Sequence, residues 1–206
     1  MTSGLQNSAY TPAQVSAVTG LGLSAVQKAI EYKLIRPRRV REGRVVRRML
    51  SKSQVLYLQM EARGLKSLPL ATRREVARAV ERNPGIDAMT LSEGVILIQF
   101  KSARKEVDAG IRRLTEAMRM VESDPEIMRG APVYKGTRIP VQSIADMLSH
   151  GATVEEILEG YPALTLKKVE LASKYVKAFP LRGRPALRPW ARRGPRRISE
   201  QRLASR

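Results

Sequence analysis

The stretch from Tyr10 to Leu34 constrains the fold most. Thr11-Pro12 sets a capping hydroxyl before a proline suited to the first helical position, and apolar Val15 and Val18 follow three residues apart. Thr19-Gly20-Leu21-Gly22 stops this short helix. Ser24 is placed to cap a second one, whose apolar Val26, Ala29, Ile30 and Leu34 share one side. Helix, glycine-containing turn, helix is the helix-turn-helix pattern. Its second helix turns Ser24, Gln27, Lys28 and Glu31 outward, where side chains on such a helix read base edges in the major groove.

Pro37 closes that unit, and Arg38 to Arg48 then reads RRVREGRVVRR, with Glu42-Gly43 where a hairpin turn is wanted. Val40, Val45 and Val46 are expected to pin the strands. Arg36, Arg38, Arg39, Arg41, Arg44, Arg47 and Arg48 are expected to face phosphate, because guanidinium groups bind phosphate oxygens bidentately. The plainer alternative is a solvated charged loop, but the run follows the helix-turn-helix at the distance a wing requires. Ser51 and Ser53 start a further helix with Val55, Leu56, Leu58 and Met60. The stretch from Tyr10 to Val55 resembles the N-terminal DNA-binding domain of the MerR-type regulators, with a T-G-L turn, a recognition helix, a G-L-I/L-x-P connection and an Arg-rich wing. The connection here is Lys33-Leu34-Ile35-Arg36-Pro37, and the aromatic after the recognition helix is Tyr32. The resemblance implies binding of double-stranded operator DNA. The chain has no cysteine, so the family's metal and redox sensing does not carry over.

In the middle of the chain, Thr72 to Arg82 reads as a basic helix ended by Asn83-Pro84-Gly85, and Val95 to Phe100 as a strand. Val107, Ile111, Leu114, Met118 and Val121 recur at alternating spacings of 4 and 3, a heptad seam along one helix face. That seam is expected to form a homodimer, because two-fold operators require one; packing within the chain is the alternative.

From Asp124 a turn-rich start leads to three short helices: Val141 to Ser149, one capped by Thr153, and one capped by Thr165. The segment closely resembles the domain of unknown function 433, a short homeodomain-like family found in antitoxins. The matching positions are Asp124-Pro125-x-Ile127, Gly130-x-Pro132-x-x-x-Gly136-Thr137-Arg138-Ile139-Pro140-Val141, Gly151, Glu155-Glu156-Ile157-Leu158, Tyr161-Pro162-x-Leu164-Thr165 and Ala172-x-x-Tyr175. The resemblance implies a VapB-like antitoxin of a toxin–antitoxin pair whose toxin is a PIN-like nuclease with a carboxylate-lined metal site. Thr137 and Arg138 are then candidate toxin contacts, or else fasten their own turn.

Charge separates these segments. Residues 1–70 carry +9, 71–122 carry +2, 123–180 are neutral and 181–206 carry +8. Prolines and nine arginines make the last stretch disordered when alone. Arg188, Arg192, Arg193, Arg196 and the anchor Trp190 are expected to engage either phosphate or the acidic site of a nuclease. With no cysteine and one histidine, thiol catalysis and zinc fingers are excluded, and no enzyme, metal, cofactor or small-molecule substrate is expected. No apolar run reaches membrane length and the start lacks a signal sequence, so the expected location is cytoplasmic and nucleoid-associated, with no membrane partner.

The expected architecture is mainly α. A winged helix-turn-helix occupies 1–70, a connecting segment with strand and dimerisation helix 71–122, a homeodomain-like three-helix domain 123–180 and a disordered tail 181–206. The expected function is an antitoxin that binds its nuclease toxin and represses its own operon. A stand-alone MerR-like regulator and an RNA- or ribosome-associated protein are the alternatives.

Overall fold

The computed structural model describes residues 9–91, 94 and 96–181. Those residues are mainly helical, with three two-stranded antiparallel sheets beside the helices. Helix α1 (Pro12–Thr19) starts as expected. Thr11 Oγ1 accepts from the Gln14 amide at 3.3 Å, Gln14 Oε1 accepts from the Thr11 amide at 2.8 Å, and Gly20 at φ +76° ends the helix in the left-handed region. Helix α2 (Leu23–Glu31) is capped by Gly22, so Ser24 lies inside the first turn and is no cap.

A hairpin follows, β1 (Arg38–Glu42) on β2 (Val45–Met49), in a register that sets Glu42 opposite Val45. The turn is therefore Gly43-Arg44, one residue later than expected. Gly43, at φ +60°, takes the first central position, where a two-residue loop of type II′ wants glycine. Helix α3 (Lys52–Ala62) is capped by Ser51 and buried on nearly every side from Gln54 to Glu61. After it come α4 (Leu70–Arg82), the hairpin β3 (Ala88–Leu91) and β4 (Ile96–Gln99), and α5 (Lys101–Arg119).

One apolar core joins all of these. Val15, Val26, Leu50, Leu58, Val80, Phe100 and Val107 belong to it, so residues 71–119 share the core of residues 9–70 and do not merely connect it to the next unit. This corrects the dimer seam. Val107 and Leu114 are buried in that core and Ile111 packs against it, while Val121 lies in a strand and only Met118 stands out, at 46% exposure. A repeat of 4 and 3 marks an apolar stripe, and this chain covers the stripe with its own α1, α3 and α8. At Gly110 the approach is so close that a Cβ would stand 2.8 Å from the Val18 carbonyl oxygen.

A second core holds the third segment. Strand β5 (Val121–Glu122) pairs with β6 (Val133–Tyr134), an unexpected sheet that starts this unit at 121. Helices α6 (Val141–Ser149), α7 (Val154–Gly160) and α8 (Leu166–Ala178) then close around Tyr134, Ile144, Ile157, Val169 and Ala172. Thr153 and Thr165 cap α7 and α8 as expected.

Helix α8 belongs to both cores. Val169 and Ala172 sit in the second and Ala178 in the first, and the helix packs on α1 and α5 as well as α6. Lys174 Nζ donates to the Ala17 carbonyl at 3.0 Å, and Lys167 pairs with Glu116 at 3.1 Å.

Candidate nucleic-acid interface

Burial of Val26 and Ala29 fixes the orientation of α2. With those side chains in the core, Ser24, Gln27, Lys28 and Glu31 are all exposed on the other side. Arg36 is exposed too, and its carbonyl accepts from Gln54 Nε2 at 3.0 Å, which ties the root of the hairpin to α3. A bridge from Tyr10 to Leu50 holds the other root, with amide-to-carbonyl distances of 2.9 and 2.7 Å.

Beyond its roots the ribbon stands in solvent. Arg38, Arg39, Arg41, Arg44 and Arg48 are exposed and Arg47 is half-buried. Val40 alone of the three valines is partly covered: Val45 and Val46 are 43% and 59% exposed and do not pin the strands as expected. Arg39 lies directly opposite Arg48, a like-charge cross-strand pair that weakens a hairpin already marginal by itself. Its sequence suits an external polyanion better than it suits the isolated fold.

Behind this surface, α3 and α4 are joined by a buried charge cluster. Arg73 Nε and Nη2 both donate to Glu61, each at 2.9 Å, and the Tyr57 hydroxyl donates to the same carboxylate. Glu61 is only 4% exposed. Burial, reinforced by the Glu61 hydrogen bond, pushes the Tyr57 phenol far above its ordinary value of 10.0. At the surface, Arg63 donates to Ser102 at 2.6 Å and Lys52 pairs with Asp108 at 2.7 Å, ties that hold α5 beside α3.

Next to Arg36 lies a cleft that the residue pattern alone did not bring out. It has a volume of about 530 Å³ and is walled by Lys33, Leu34 and Arg36 on one side and by Arg74, Arg78, Glu81 and Arg82 of α4 on the other. The signal was there: arginines at 74, 78 and 82 recur once per turn.

The candidate toxin contacts are scattered. Thr137 is taken up by its own turn, its hydroxyl donating to the Tyr134 carbonyl at 2.8 Å and accepting from the Ile139 amide at 3.1 Å. Arg138 is exposed beside it. Arg188, Trp190, Arg192, Arg193 and Arg196 lie outside the described residues. Among the described residues no group of three or more His, Cys, Asp or Glu could hold a metal ion, and no helix is long and apolar enough to cross a membrane.

Three likenesses to known proteins bear on the chain. It is 41% identical over 93 residues to the uncharacterised protein y4eO of Sinorhizobium fredii (strain NBRC 101917 / NGR234), an overlap of 45% of this chain and 42% of that protein. The chain thus matches less than half the length of that relative. The crystal structure of Rv2018 from Mycobacterium tuberculosis aligns over 80% of this chain and 96% of that one, at 14% identity and a TM-score of 0.32, too distant to carry the fold. Residues 121–176, the unit that begins with β5 and holds the second core, match the family described as protein of unknown function DUF433, the family their motifs resemble.

Proposed function

We propose that this protein is an antitoxin and autorepressor: its first core presents a winged helix-turn-helix to operator DNA, and its C-terminal part holds a nuclease toxin. The observation that carries the DNA half is the joint exposure of the polar face of α2 and of the Arg-rich ribbon, both rooted on one core. In this reading α2 is the recognition helix. Gln27 and Lys28 meet base edges, while Arg38, Arg39, Arg41, Arg44 and Arg48 take phosphates along the adjoining backbone.

The toxin half rests on the third segment's resemblance to antitoxins and on the nine arginines of residues 181–206. In this unit α6, α7 and α8 form a homeodomain-like bundle. Its surface is charge-balanced, with Glu155, Glu156 and Glu159 on α7, which suits protein contact better than DNA. A guanidinium from the tail would occupy the toxin's carboxylate cluster in place of its metal ion. The second copy that a two-fold operator needs would be held by surface other than the buried positions Val107 and Leu114.

Co-expression with the adjacent gene tests the whole reading. Copurification and relief of toxicity by a small nuclease, lost when residues 181–206 are deleted, is the expected result. Operator binding with no such partner would leave a stand-alone regulator, and a preference for RNA over the protein's own promoter would remove the repressor role.

A further inference from the structure

Helix α4 has two unlike faces. Val76, Ala77 and Val80 are buried, and Arg73 lies on their side, turned to Glu61. Arg74, Arg78 and Arg82 lie on the opposite side, exposed and one turn apart. The chain leaving α2 brings two more cations against them. Leu34 and Ile35 are 5% and 4% exposed, and anchoring these two in the core fixes Lys33 and Arg36 at the mouth of the cleft.

Five cations therefore surround one concavity of about 530 Å³, with Glu81 the single carboxylate in its wall among the described residues. Like charges one turn apart weaken a helix, and like charges around a cavity repel, so an anion entering the cleft relieves the arrangement. Lys33 adds a second observation. It lies just beyond Tyr32, the residue that caps the C-terminus of α2, at φ +57°, the position where helices commonly place glycine because an L side chain is strained there. The chain accepts that strain and gains an ammonium group at the cleft mouth.

We propose that this cleft binds a run of closely spaced phosphate groups. Arg74, Arg78 and Arg82 line one wall and Lys33 and Arg36 the other, beside buried Leu34, and guanidinium groups bind phosphate oxygens bidentately. The volume is that of a small-molecule site. Two sources carry this chemistry: a free oligophosphate, or the sugar-phosphate backbone of duplex flanking the ribbon, to which Arg36 is adjacent. The site does not depend on the antitoxin reading, and its first test uses no DNA.

Titration calorimetry of the full chain with inorganic triphosphate is that test. Arginines elsewhere also attract the anion, so the readout is what substitution removes. Arg78→Ala with Arg82→Ala should weaken the tightest phase at least tenfold, and so should Lys33→Gly. The glycine variant should melt no lower than the parent because it relieves the strained φ, which separates lost binding from lost folding. A second arm compares one promoter core with and without longer flanks. A loss confined to the longer duplex assigns the phosphates to DNA; triphosphate binding lost with both duplexes unaffected assigns a free oligophosphate. Unchanged triphosphate binding in all variants together with no flank-dependent loss overturns the proposal. If the parent binds triphosphate here yet shows no promoter preference, the repressor reading fails and the cleft stands.

Discussion

Replacing Arg73 by methionine is the sharpest test of how the α3–α4 support is held. Methionine keeps most of the side-chain volume but removes both hydrogen bonds to Glu61, each 2.9 Å long. The carboxylate left behind is 4% exposed and retains only the Tyr57 hydroxyl, so the loss is that of an uncompensated buried charge, about 3–5 kcal/mol. Arg73 keeps 16% of its side chain in solvent, which admits some water to the gap and places the expectation in the lower half of that range. For a chain of this size the melting temperature should fall by roughly 6–16 °C, at about 2–4 °C per kcal/mol. Urea unfolding of the parent, Arg73→Met, Glu61→Gln and the double variant forms the cycle. The double variant should recover most of the loss, because the neutral amide that replaces the Glu61 carboxylate no longer needs a counter-charge. A cost under about 1 kcal/mol for Arg73→Met with Glu61 intact would refute the reasoning, as it would mean that water already solvates the carboxylate.

Three further outcomes are expected. Gly110→Ala should cost about 1–3 kcal/mol in urea unfolding, because its Cβ would meet the Val18 carbonyl oxygen at 2.8 Å and force α5 away from α1. Burial raises the Tyr57 and Tyr134 phenols above 10.0, so the folded state keeps protons that the unfolded chain releases; stability should hold below pH 10 and fall above it, with the phenolate absorbance of these two appearing only on unfolding. Thr137→Val should lower the melting temperature by removing both hydrogen bonds of its hydroxyl; an unchanged melting temperature with lost toxin binding would instead make Thr137 a contact residue.

Much of this was legible in the residues. Thr11, Gly20, Thr153 and Thr165 set element ends as their chemistry requires, and α7 and α8 start where their threonine caps place them. Ser24 misled because Gly22, which also tolerates the cap conformation, comes first and leaves the serine inside the helix. The ribbon turn slipped by one residue because glycine serves at either of two central positions and only the pairing register decides between them. The apolar spacing from Val107 to Leu114 describes a dimer seam and a helix buried in its own protomer equally well, and tertiary contacts decide between them. Strands β5 and β6, two residues each, are too short for any alternation to show. The cleft is not legible in the sequence because its two walls lie about forty residues apart and meet only through the core.

In the proposed function, α2 and the ribbon form a sequence-reading surface for duplex DNA. Fluorescence anisotropy against the protein's own promoter and a random duplex of equal length, over a range of salt, tests it most directly. The promoter should be bound at least about 10³-fold more tightly. Lys28→Ala should erode that ratio, and Arg44→Ala should weaken both duplexes alike and lower the salt slope by about one. Equal affinity for the two duplexes, with neither substitution changing binding, would contradict it.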